Sequence, residues 1–174
     1  MQSYDQVTNF IHAKIAKLTL NQQLYFVKHL IYQFSKNLAN NWLDSELDSE
    51  KAHYQTIFNQ INDNLWQADV IDDALAKLDD IMWAMGENYP HTTSDEILLI
   101  MEMLDYWLAL SKLEQKDDNS NQLTFSTSLC LLTHFDEKSE TRLGETTTYE
   151  DWLAYPETEQ SFNIIKVALA KTAE

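Results

Sequence analysis

Glycine and proline are scarce, with two of each in 174 residues. An all-β sandwich of this length needs turn residues at nearly every strand end, so their scarcity excludes that class and leaves helices. Cysteine is scarcer still. The single Cys130 can form no intramolecular disulfide, and its neighbours Leu129, Leu131 and Leu132 mark it as a small buried hydrophobe rather than a reactive thiol. Such usage fits a reducing cytoplasm. Long apolar runs are missing too. The longest, Ile97 to Met101, stops at Glu102, far short of membrane-spanning length, and no basic-then-apolar leader opens the chain. A cytoplasmic protein, neither inserted in nor bound to a membrane, is expected.

Bases are the other shortage: 12 Lys and Arg against 28 Asp and Glu, a net charge of −16. The imbalance is local. Residues 1–40 hold one acid and four lysines, a net +3; residues 41–120 hold 18 acids and 4 lysines, a net −14; residues 121–174 hold 9 acids and 4 bases, a net −5. A field of this sign repels nucleic acid and anionic membrane and steers a basic protein surface inward.

What is present is apolar periodicity. At 44% hydrophobic and 11% aromatic, the chain can fill one continuous core, and its length fits a single domain spanning 1–174. Ser3 and Gln6 have capping-box spacing ahead of a stripe at Val7, Phe10, Ile11, Ile15 and Leu18. Thr19 and Gln22 repeat that signal before Leu24, Val27, Leu30, Ile31, Phe34 and Leu38. A polar stretch follows, then a third stripe at Tyr54, Ile57, Phe58, Ile61 and Leu65. A fourth runs through Val70, Ile71, Ala74, Leu75, Leu78, Ile81, Met82 and Met85, and Gly86 falls where a left-handed C′ residue belongs. Asn88 to Thr92 reads as a connector. Thr93 and Glu96 cap a long helix near residues 94–116, apolar on most sides and expected to be the central, largely buried one. Residues 116–121 read as a solvated loop, Leu123–Phe135 as a sixth helix and 136–150 as a mobile loop, with Trp152 and Leu153 returning to the core. Pro156 starts a last helix whose inner positions are Phe162, Ile165, Leu169 and Val167. The expected fold is an all-α, single-domain helical bundle of six or seven helices.

Two carboxylates interrupt the central helix at Glu102 and Asp105, in "EMLDYWLALSKL" (102–113). At 100° per residue they share an edge with Asp95, Ala109, Lys112 and Lys116, a strip whose sign reverses toward the C-terminus as the macrodipole prefers. A wet helix edge accounts for them. The sharper alternative pairs Glu102-x-x-Asp105 with Asp69-x-x-Asp72 to hold Mg²⁺ between two helices, in the manner of an all-α hydrolase acting on a nucleotide-like substrate. Glu50-x-x-His53 has the spacing of one half of a di-iron carboxylate site but no second copy exists, and His12, His29, His91 and His134 are scattered. No nucleophilic triad or glycine-rich phosphate loop is present, and the sequence calls for no cofactor. Among the five tryptophans, Trp42 and Trp83 are the expected exposed anchors, with Asp44, Glu46 and Asp48 as acidic neighbours of Trp42 in a partner-binding surface.

Three segments resemble the YjaG-like bacterial proteins, a family of unknown function. "LTLNQQLYFVKHLIYQFSKNL" (18–38) is similar to the family's first helical segment at Leu18, Gln22, Phe26, Leu30 and Asn37. "DYWLALSKL" (105–113) matches at Asp105, Ala109, Leu110, Ser111 and Leu113, and "PETEQSF" (156–162) at Pro156, Glu159, Gln160 and Phe162. The chain departs from the family at Gln33 and Lys36, where Arg and Pro are usual, and at Tyr106 and Trp107 in place of Ala-Cys. The resemblance implies an all-helical bacterial cytosolic protein with no established reaction and, in some members, immunity against polymorphic toxins. The leading expectation is therefore a non-enzymatic binder of a basic protein, for example a toxin. The Mg²⁺-dependent hydrolase and a homodimeric interaction protein are the alternatives.

Overall fold

The computed structural model describes residues 4–40, 42, 48–63, 66–85, 91–143 and 156–173. Among them the fold is an all-α helical bundle of seven helices with no strand: α1 Tyr4–Ile15, α2 Leu20–Asn40, α3 Asp48–Asp63, α4 Ala68–Met85, α5 His91–Ser111, α6 Asp118–Leu143 and α7 Pro156–Ala173. No helix among these residues is long and apolar enough to cross a membrane. Packing gathers the chain into two compact units: a terminal unit of Met1–Leu30 with Lys112–Glu174, and a middle unit of Ile31–Ser111.

In the terminal unit, the start of α2 is set by its cap. Gln22 N–H donates to Thr19 Oγ1 at 3.3 Å and Thr19 N–H donates to Gln22 Oε1 at 2.9 Å, so two end donors are satisfied reciprocally. Val7, Ile11 and Ile15 of α1 are buried as their spacing requires. The loop expected at 116–121 lies earlier, at 112–117. α6 begins at Asp118 because Asp117 and Ser120 cap each other: Ser120 N–H donates to Asp117 Oδ1 at 2.7 Å and Asp117 N–H to Ser120 Oγ at 3.1 Å. The same helix continues to Leu143, so residues 136–143 are helical rather than loop.

The inner face of α6 is lined by hydroxyls in its first half, before Cys130, Leu131 and Leu132 take over. Ser120, Thr124, Thr127 and Ser128 have no exposed surface. They escape the penalty of buried polar groups by donating back along their own helix, Thr124 to Ser120 O at 2.8 Å, Thr127 to Leu123 O at 3.1 Å and Ser128 to Thr124 O at 3.4 Å. α6 packs against α7 and α1, and α7 offers small residues in turn, with Thr158, Ser161 and Ala168 at zero exposure. Phe162, Ile165 and Leu169 of α7 are buried as expected, whereas Val167 is half exposed. Pro156 opens α7, where its missing N–H is harmless.

The middle unit is packed with larger groups. α4 contacts α3 and α5, and its buried residues Ile71, Ala74, Leu78, Ile81 and Met85 follow alternate steps of three and four. Tyr54 lies between Trp42 and Phe58, with ring centroids 5.6 and 4.9 Å away. Burial pushes its phenol well above the ordinary range, although its O–H donates to Ser35 O at 3.2 Å. Trp66 ends the α3 segment in an uncommon conformation. Its φ is 58°, its N–H donates to Ile61 O at 3.2 Å, and its indole is buried against Trp107 at 5.4 Å while Nε1 donates to Asn62 Oδ1 at 3.2 Å. Left-handed backbone costs a non-glycine residue about 1–2 kcal/mol, which burying so large a ring offsets.

α5 begins at His91 and ends at Ser111, not at 94 and 116. Residues 112–117 are irregular, and Ser111 Oγ donates to Leu108 O at 2.8 Å, meeting one of the carbonyls left free at the helix end. Ile97, Ile100, Met103, Leu104, Trp107, Leu108 and Leu110 are buried, so α5 is largely apolar on its inner side, while Leu98 is half exposed. Gly86, Pro90, Trp152, Leu153, Leu65 and Ser3 lie outside the described residues.

Candidate functional site: the acidic outer face of α4

The register that buries Ile71, Ala74, Leu78, Ile81 and Met85 turns Asp69, Asp72, Ala76, Asp79, Asp80 and Trp83 outward, and every one of these six is exposed. At 3.6 residues per turn they occupy about 100° of arc. Trp83 is 80% exposed, the extreme among the described large hydrophobics. The lysine on this helix, Lys77, sits at the margin and is already engaged, pairing with Asp73 at 2.6 Å and reaching Gln60 Oε1 at 3.5 Å. With side chains 44% and 60% exposed, that i,i+4 pair contributes only about 0.3–0.5 kcal/mol and leaves the stripe negative. Across Ile31–Ser111, 15 acids face 3 lysines, a net −12.

The other expected site residues fall as follows. Asp95, Glu102 and Asp105 are exposed along α5, and Tyr106 O–H donates to Glu102 Oε1 at 2.7 Å. The strip does not end in lysines on the same helix, because α5 stops before Lys112 and Lys116. Lys116 instead donates from Nζ to Ala16 O, just past the end of α1, where a cation suits the helix dipole. Among the described residues no three of His, Cys, Asp and Glu are placed to share a metal ion, so Asp69, Asp72, Glu102 and Asp105 do not form the Mg²⁺ cluster that their spacing allows. Glu50 and His53 do share a cavity of about 420 Å³ with Lys77 and Asp80. The Glu50 carboxyl is held below its usual range chiefly by the Ser49 hydroxyl, which donates to it at 2.6 Å.

The two tryptophan anchors separate. Trp83 stands in water as expected, but Trp42 is buried, 7% exposed, because its ring packs on Tyr54. Its polar flanking sequence is a poor guide to where the indole goes. Asp48 is exposed in the first turn of α3, and Asp44 and Glu46 lie outside the described residues. Asp79 and Asp80 are the functional candidates that reading acids as metal pairs overlooks. The signal was present, since they precede Trp83 by four and three residues and so share its helix face.

No family model, no curated protein and no solved structure matches this chain.

Proposed function

We propose that the protein is a non-enzymatic binder of a basic protein surface, and that the outer face of α4 is where the partner docks. The observation that carries this reading is Trp83, 80% exposed and framed on one stripe by Asp72, Asp79 and Asp80. An indole left in water gains its full burial energy only on association, and tryptophan is among the residues that dominate interface energetics. The carboxylates around it supply long-range attraction for a cationic partner and repel nucleic acid and anionic lipid. Inhibition of a basic toxin is one form such binding would take, consistent with the YjaG-like resemblance of the sequence.

The test is site-specific photocrosslinking in cells that produce the protein. Benzoylphenylalanine at position 83 should give a discrete adduct with a basic protein, and the adduct should disappear when Asp72, Asp79 and Asp80 are changed together to Lys. The same probe at Tyr25, which is 49% exposed in the terminal unit, should not capture that protein. Absence of any adduct at 83, an adduct with a second copy of the chain, or identical adducts at both positions would refute the reading.

A further inference from the structure

The terminal unit carries a feature of opposite sign. Lys14 at the end of α1, Lys17 just beyond it and Lys166 of α7 edge a groove of about 550 Å³, and among the described residues no carboxylate lines it. The floor is apolar: Leu18 is 6% exposed and Leu169 7%. Phe10 forms a wall and, at 38% exposure, is open to water. It is fixed edge-on against Phe162 at 5.8 Å, and Lys14 Nζ lies 5.5 Å from its ring centroid. Lys166 Nζ lies 4.7 Å over Phe162. The opposite margin is held by Gln22, which caps α2 through Thr19 and donates from Nε2 to Thr172 O of α7 at 3.0 Å.

Three ammonium groups around one apolar concavity repel each other, and no described residue lining the groove carries a negative charge. An anion bound there would relieve that repulsion, while the leucines and Phe10 would remain hydrated unless something apolar accompanied it. The volume lies in the range of small-ligand sites, and the lysine stems themselves add apolar lining below their charged heads. We propose that this groove binds a free single-tailed carboxylate, its tail on Leu18, Leu169 and Phe10 and its head among Lys14, Lys17 and Lys166. The charge at the rim selects an anion, and the greasy floor selects one with a tail.

Calorimetry and amide chemical-shift mapping with sodium decanoate below its micellar concentration test this, with 1-decanol, decyltrimethylammonium and acetate as comparisons. Decanoate should bind and shift Leu18, Leu169 and Ala170, while decanol, the cation and acetate bind at least about tenfold more weakly. The K14Q/K17Q/K166Q protein should lose at least about tenfold in decanoate affinity, whereas K36Q/K51Q/K112Q, with the same change in net charge, should not. Should the groove triple variant fail to fold, K166Q alone is to be compared, with the shift map confirming its native state. Decanol binding as tightly as decanoate, shifts confined to other residues, equal loss in both triple variants, or no decanoate binding at millimolar concentration would each overturn the proposal.

Discussion

The two units bury their helices by different means. In the middle unit, large side chains meet one another, Tyr54 with Trp42 and Phe58, and Trp66 with Trp107, while the outer faces are strongly acidic. In the terminal unit α6 and α7 bury Ser, Thr and Ala beside Leu131, Leu132, Phe162 and Ile165, and the exposed groove is basic. Both units gain from apolar surface removed from water, but the terminal unit also buries hydroxyls, whose cost is offset by hydrogen bonds to their own helix backbone. Charge follows the same division, at −12 for Ile31–Ser111 and −4 for the remainder, where 13 acids face 9 bases.

If the middle unit depends on aromatic volume, Trp66→Ala should cost about 3–5 kcal/mol in a denaturant titration. Trp66→Gly should be milder than Trp66→Ala by about 1 kcal/mol, because glycine accepts the 58° φ without strain. A glycine variant worse than alanine would mean that the backbone there is unstrained. In the terminal unit the order of tolerance should favour shape over polarity. Thr124→Leu should cost about 1–3 kcal/mol by overpacking, while Thr124→Val should change stability by about 1 kcal/mol or less, since the Ser120 carbonyl also accepts its ordinary helical bond. Equal losses would show that the hydroxyl itself is needed.

Surface effects should be smaller. Asp72→Lys places a cation three residues after Asp69 and relieves repulsion along α4, so thermal unfolding should shift upward by the equivalent of about 0.3–0.5 kcal/mol at low salt, with the gain fading as salt is added. The smallest effect belongs to His29, whose pKa is lowered first by burial and second by Lys171. A lowered folded pKa means that its contribution is complete above the unfolded value of about 6.5 and is lost as pH falls through the folded value. His29→Gln should flatten the decline of stability in that window. In Lys171→Gln the His29 titration, followed by NMR, should rise only part of the way, because burial is the larger cause.

Much of this architecture could be read from residue spacing. The Thr19–Gln22 cap, the α3 and α4 stripes, Pro156 at the head of α7 and burial of Cys130 all rest on local rules that tertiary packing did not override. The ends of α6 were not legible, because Asp117 and Ser120 are equally good loop and cap residues, and only their mutual hydrogen bonds decide between the two. Its hydroxyl-lined core was hidden for a related reason: periodicity searches count apolar residues, and Thr124 and Thr127 do not register. At the candidate site, the exposure of Trp83 followed from the α4 register, whereas the burial of Trp42 depends on Tyr54, twelve residues further along the chain. Spacing could place Glu102 and Asp105 on one edge, but whether α4 brought Asp69 and Asp72 to meet them was a question of helix packing.

Collisional quenching of Trp83 fluorescence, taken as the difference between the protein and its Trp83→Phe variant, tests most directly whether the middle unit presents an exposed indole in a negative field. Caesium should quench this difference signal well and iodide poorly at low ionic strength, with the two converging as salt screens the carboxylates. Equal quenching by both ions at low salt, or a difference signal that neither ion reaches, would contradict the account.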